Sequence, residues 1–138
     1  MARITKAEYV ALAAFRYALR QFLHYSEQAA VAVGLSPQQH QALLALKGFP
    51  GRDDITIGEL AERMQIRHHS AVELVDRLSA EGLVRRRSSS VDRRQVRIAL
   101  TTRGLGFLER LSEAHKDELR RIAPSLRKIL DQLSTAET

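Results

Sequence analysis

The residues best suited to chemistry in this chain are arginines, and they are concentrated. "RRRSSSVDRRQVRIALT", residues 85–101, carries six of them around three serines. Extended to residue 103, the segment holds seven arginines (85, 86, 87, 93, 94, 97 and 103) and one acid, Asp92, which accounts for the whole formal net charge of +6. The rest of the chain is balanced, with 15 basic and 15 acidic residues. A guanidinium is planar, always charged and weakly hydrated, so it pairs with phosphate in two-pronged fashion and fits narrow anionic grooves. A neutral body with one basic segment is the footprint of a protein that meets a polyanion. The competing reading of the same residues is a solvated hairpin with no partner.

Other chemistries find little support. The chain has no cysteine, which excludes disulfides and thiolate metal sites. Five histidines are present, His24, His40, His68, His69 and His115, but none falls in a spacing that binds zinc on one helix. There is no phosphate-cradling glycine loop, no nucleophile beside a convincing base and no carboxylate pair set in a cleft, so an enzyme is not expected and no cofactor is implied. The N-terminus has no apolar signal region, and no run approaches the roughly 18 apolar residues of a membrane span, so no membrane partner is expected and a cytoplasmic location is the default. With 138 residues, 44% of them hydrophobic, residues 1–138 are read as a single domain.

The elements that must hold the arginines can be read from periodicity. Residues 6–33 are helical and unusually apolar, with five of the seven aromatics (Tyr9, Phe15, Tyr17, Phe22, Tyr25). Arg16, Arg20, His24 and Glu27 form a narrow polar stripe, and the apolar remainder of the circumference calls for cover on more than one side, which a second protomer would supply. "GLSPQQHQALLALKG" predicts a helix capped by Ser36, with Pro37 in its first turn, Gln39 completing a capping box, Leu43, Leu44 and Leu46 as its apolar face and Gly48 at its end. "FPGRDD" reads as a loop. Thr56 and Glu59 predict another capping box, before a short helix with Ile57, Leu60, Ala61 and Met64 inward.

After a break at residues 65–67, a helix resumes with Ala71, Leu74, Val75 and Leu78 inward and His69, Ser70, Glu73 and Arg77 outward, stopped by Gly82. Two short helices so joined are a helix-turn-helix. "LVRRR" and "QVRIAL" follow as strands, the second with Val96, Ile98 and Leu100 on one side and Gln95, Arg97 and Ala99 on the other. "SSSVDRR" is the hairpin tip. Thr101 caps a long helix with a stripe of Leu108, Leu111, His115, Leu119 and Ile122; Pro124 is expected to interrupt it, and "SLRKILDQL" closes the chain as a second amphipathic piece.

In its motifs the sequence resembles the MarR family of bacterial transcriptional regulators. "ITIGELAERMQI", "LVDRLSAEGLVRR" and "DRRQVRIALTTRG" carry the resemblance, the last matching the family's wing signature at Asp92, Arg94, Ile98, Leu100, Thr101 and Gly104, and "GLSPQQHQALLAL" is similar to the family's second helix. The implied fold is mainly α with a small β-hairpin: a winged helix-turn-helix over residues 36–100, flanked by N- and C-terminal dimerisation helices at 5–33 and 102–135.

The function implied is a homodimer that binds double-stranded DNA at a pseudo-palindromic operator, most simply as a repressor, and that a small-molecule effector releases. A recognition helix at about 68–80 would offer His68, His69, Ser70 and Glu73 to base edges, with Arg67 and Arg77 nearer phosphate. Outward members of Arg85, Arg86 and Arg87 would contact phosphate. In the wing, Asp92 would orient the tip, Arg93 would enter the minor groove, and Arg94 would brace the wing to the helix through Asp76, although the two arginines could exchange these roles. Replacing Arg93 by alanine is expected to weaken operator binding by roughly 1 to 3 kcal/mol.

Relatives commonly bind a small aromatic anion, for which Arg16, Arg20 and His24, with Tyr17 nearby, are the candidate ligand-binding residues. Some zinc-responsive relatives place ligands on the helices that carry His24, His40 and His115, so a metal-responsive regulator is an alternative. A winged helix with an architectural or protein-interaction role and no specific operator is another.

Overall fold

A computed structural model describes residues 3–88 and 95–134. The elements run α1 (Lys6–Ala32), α2 (Pro37–Lys47), β1 (Asp54–Thr56), α3 (Ile57–Met64), α4 (His68–Ala80), β2 (Val84–Ser88), β3 (Val96–Leu100) and α5 (Thr102–Ser134). The fold is mainly helical with one small antiparallel sheet, as expected. The backbone gathers into two compact units, one of Met1–Ala29 with Ser112–Thr138 and one of Ala30–Leu111.

In the second unit the punctuation seen in the sequence forms as capping geometry. The Ser36 hydroxyl accepts from the Gln39 amide at 3.0 Å, and the Gln39 side chain accepts from the Ser36 amide at 2.8 Å. Thr56 and Glu59 repeat this reciprocal arrangement at the start of α3. Each box satisfies two backbone donors that a helix start leaves without intrahelical partners, and losing such a cap typically costs about 1 kcal/mol. The turn between α3 and α4 passes through Gln65 in the left-handed region, at φ 55°, which closes α3 with the Gln65 amide donating to Ala61 and Glu62 carbonyls. Leu43, Leu46, Ile55, Leu60, Val75, Leu78, Leu83 and Ile98 are fully buried here, each contributing about 1.5 to 3 kcal/mol of transfer free energy.

Four expectations change. Leu44, read as part of the inward face of α2, is 45% exposed, because three leucines in four residues cannot all share one side of a helix. The loop expected at "FPGRDD" forms, but its last residue, Asp54, opens an unforeseen strand, β1, whose three residues are too few to show alternation in sequence. With β1 on its far side, β3 becomes the central strand of a three-stranded sheet, in the order β1-β3-β2. Paired along both edges, β3 has Ile98 and Ala99 both buried, while Val96 at the strand's start is exposed. Finally, Pro124 lies inside a continuous α5. A proline removes one ladder bond, here to the carbonyl of Arg120, and the helix-forming residues on both sides carry the helix through.

The first unit consists of most of α1 and the C-terminal two thirds of α5. The Tyr25 hydroxyl donates to the Ala114 carbonyl at 3.2 Å, and His115 Nε2 shares a 2.7 Å hydrogen bond with the Ser26 hydroxyl. Phe22 and Tyr25 meet the His115 ring edge-on, with centroids 5.8 and 5.5 Å apart.

Candidate nucleic-acid interface

The second unit sets α4 beside the basic strand β2. Ala71, Leu74, Val75 and Leu78 turn α4 inward, so His68, His69, Glu73 and Arg77 are exposed and Ser70 is half-buried. Arg67 occupies the N-cap without a side-chain cap bond. The first-turn amides of α4 therefore have no side-chain acceptor from that residue, which suits an incoming phosphate oxygen. A cleft of about 240 Å³ joins His68 to Thr56, Ile57 and Gly58 at the start of α3 and to Gln95 and Val96 at the start of β3.

Strand register divides the three consecutive arginines. β2 pairs with β3 so that Arg85 faces Ala99, Arg86 faces Ile98 and Arg87 faces Arg97. Side chains alternate across a strand, so Arg86 shares the face of Ile98, which packs on the core, while Arg85 and Arg87 occupy the opposite face. From that inner face the Arg86 guanidinium reaches back to α4 and pairs with the Asp76 carboxylate. On the outer face Arg97 is paired with Asp54 of β1 at 3.3 Å, which neutralises the residue standing directly across from Arg87. No described residue forms an ion pair with Arg85 or Arg87, and both are exposed.

Among the described residues Asp76 pairs with Arg86, which is thereby the inward member of the three arginines expected to divide between the two faces. Asp92, Arg93 and Arg94, and with them the wing-tip probe and the Arg94 brace, lie outside the described residues. Counting by twos from buried Val84 would have put Arg86 inward. The Arg97–Asp54 pair had no such signal, since it depends on β1.

Two further features fix the unit that presents these groups. Thr101 caps α5, its hydroxyl accepting from the Gly104 amide at 3.0 Å while donating to the Gly82 carbonyl at 2.6 Å. A Cβ on Gly104 would lie 2.1 Å from the Leu83 carbonyl oxygen, so only glycine lets α5 start this close to the chain entering β2. This gives the Leu-Thr-x-x-Gly portion of the motif a packing reason. At the other end, Glu59 serves both the Thr56 amide and the Arg52 guanidinium. Desolvation pushes its carboxyl up, but the hydrogen bonds from Thr56 and Arg52, with the Arg52 charge, together hold it below the usual range.

The candidate effector residues are placed differently. Arg16, Tyr17, Arg20 and His24 are all exposed on α1, with Leu12 and Leu23, themselves exposed, interleaved on the same side of the helix. His40 is buried in α2 and His24 is exposed. Among the described residues no group of three or more His, Asp or Glu side chains could hold a metal ion. No described helix is long and apolar enough to cross a membrane.

Comparison with known proteins adds the following. The sequence model of the MarR family matches residues 33–95. The HTH-type transcriptional repressor YetL of Bacillus subtilis (strain 168) is 32% identical over 93 residues, 67% of this chain and 54% of that protein. The HTH-type transcriptional regulator PapX of Escherichia coli is 26% identical over 84 residues, 61% of this chain and 51% of PapX. The chain thus spans about half the length of these two relatives. Among solved structures, AbsC, a MarR family transcriptional regulator from Streptomyces coelicolor, superposes with a TM-score of 0.75 at 24% identity over 99% of this chain and 93% of AbsC. A variant of S. aureus MepR bound to an oligodeoxyribonucleotide gives 0.68 at 20% identity, over 86% of this chain and 94% of that one. At these identities the structural likeness speaks to the fold.

Proposed function

We propose that the chain, whose residues 33–95 match the sequence model of the MarR family, is a homodimeric DNA-binding transcriptional regulator, a repressor that holds a pseudo-palindromic operator and is released by a small-molecule effector. The observation that carries the reading is the winged-helix unit itself: an exposed, uncapped start of α4 beside a strand whose Arg85 and Arg87 have no described ion-pair partner. In this reading His68, His69, Ser70 and Glu73 meet base edges in the major groove, and Arg67, Arg77, Arg85 and Arg87 meet phosphates. Asp92, Arg93 and Arg94 complete the wing, with Arg93 as the minor-groove probe. Arg86 has a different task, holding the strand to α4 through Asp76.

The dimer is supported by the first unit, which leaves Tyr9, Leu12, Tyr17 and Leu23 of α1 and Leu119 and Leu130 of α5 exposed. A symmetric partner covering them would gain about 1.5 to 3 kcal/mol per fully buried leucine. The effector that Arg16, Arg20 and His24 would hold, with Tyr17 beside them, is an aromatic anion.

Selection of binding sites from a pool of random duplexes, followed by footprinting, tests the proposal. The expected result is two inverted half-sites with centres about one helical turn apart, 34–36 Å, protected by one dimer. Uniform, salt-sensitive coating without enrichment would assign the fold to an architectural role. Binding that a chelator abolishes would favour the metal-responsive alternative.

A further inference from the structure

Between α1 and α5 in the first unit lies a cleft of about 410 Å³ whose chemistry is opposite to that of the Arg16 stripe. Residues 18, 21, 22 and 25 line it from α1, roughly 150° around the helix from Arg16, Arg20 and His24. Phe22, Tyr25 and Ile122 give it an apolar wall, and the two aromatic rings are held in place by their edge contacts with His115. Its charged groups are Glu118 and Arg121, joined by two hydrogen bonds from one guanidinium to one carboxylate. They are unequally placed: the Glu118 side chain is 18% exposed and that of Arg121 71%. The anion belongs to the wall, and its counter-ion is a flexible side chain standing mostly in solvent.

Arg121 shows what the carboxylate accepts, which is a planar cation presenting two N–H groups in parallel. Its hydrogen bonds first, and its charge second, hold the Glu118 carboxyl below the usual range, and an ordinary glutamate remains ionised at neutral pH without such help. The Phe22 and Tyr25 rings line the same cleft and offer apolar surface to the body of such a ligand. The volume is that of a small-ligand site.

We infer that this cleft binds a small aromatic cation of the amidinium or guanidinium type, whose charged head replaces Arg121 on Glu118 and whose ring lies against Phe22, Tyr25 and Ile122. The site is separate from the exposed stripe that would take an anion, and the charge of its ligand is the reverse.

Benzamidine is the probe, with benzoate as its shape-matched anion, titrated calorimetrically into the 138-residue chain. All titrations are made without DNA, so they are independent of whether the winged helix reads an operator. Arg121→Gln, which frees the carboxylate, is expected to bind benzamidine about fivefold more tightly than the native chain, a gain that misfolding cannot produce. Glu118→Gln is expected to bind at least about tenfold more weakly, and Ala18→Leu, which fills the cleft and leaves both charges, to lose binding by about as much. Benzoate is expected not to compete. Equal or weaker binding by Arg121→Gln, unchanged binding by Glu118→Gln, or competition by benzoate would each overturn the assignment. So would benzamidine binding that disappears as protein concentration rises, which would give the cleft to a second copy of the chain.

Discussion

The two compact units use their apolar residues in opposite ways. In the unit of Ala30–Leu111 the large hydrophobic side chains are inside, and the exposed exceptions are Val31, Leu44 and Val96. In the unit of α1 and the C-terminal part of α5, the buried apolar residue among those described is Ala11, while Ile4, Tyr9, Val10, Leu12, Tyr17, Leu23, Leu119 and Leu130 are exposed. The first pattern belongs to a unit that holds itself together; the second is what a unit covered by association would show. In the proposed function, reading DNA and forming a dimer would thus fall to parts of the chain with different physical needs, and substitutions in the two should fail in different ways.

The largest expected effect is in the self-sufficient unit. Gly104→Ala puts a methyl group against the Leu83 carbonyl and should cost about 3 kcal/mol, visible as a lower melting temperature. Gly106→Ala meets nothing within 4 Å and should be neutral or stabilising by up to about 1 kcal/mol. Equal melting of the two variants would remove the close approach of α5 from the account. Next in size, the double substitution Leu12→Lys with Leu23→Lys should weaken association by about a hundredfold in sedimentation experiments while preserving secondary structure. Leu44→Lys, at an exposed leucine of the other unit, should leave association as it was. If it disrupts the oligomer as strongly, the contrast between the units is wrong.

A smaller effect concerns acid stability. Against the upward push of burial, the hydrogen bonds from Thr56 and Arg52 hold the folded Glu59 carboxyl below the usual glutamate value of about 4.3, so its contribution is fully present above about that pH and is lost as pH falls through the folded value. Glu59→Gln should cost about 1 kcal/mol at neutral pH, and the gap to the native chain should close below that pH. A gap that stays constant to low pH would show that charge on Glu59 is not what the capping arrangement uses.

Much of this arrangement could be read from the residues, and what could not has identifiable causes. The capping pairs Ser36/Gln39 and Thr56/Glu59, the inward stripe of α4 and the Thr101 cap of α5 were local patterns, legible because each is fixed by spacing within a turn or two of helix. β1 was hidden because its three residues gain their structure from pairing with β3, about forty residues on in the chain. Leu44 showed that hydrophobicity without phase overstates a face. The Asp76–Arg86 pair lay between: strand alternation turns Arg86 inward, but its partner is supplied by the packing of β2 beside α4. The placement of Arg16, Tyr17, Arg20 and His24 among exposed apolar neighbours depended on which side of α1 meets α5, and periodicity alone gave the stripe without saying what it faces.

The division of the arginines on β2 tests the central claim most directly, by salt titration of operator affinity on a site obtained by selection. Each lost phosphate contact lowers the slope of log affinity against log salt by about 0.9. The account predicts that replacing both Arg85 and Arg87 by alanine flattens the slope by about 2, while Arg86→Ala leaves it unchanged. A double variant with the native slope, or an Arg86→Ala slope as flat as that of either neighbour's variant, would contradict it.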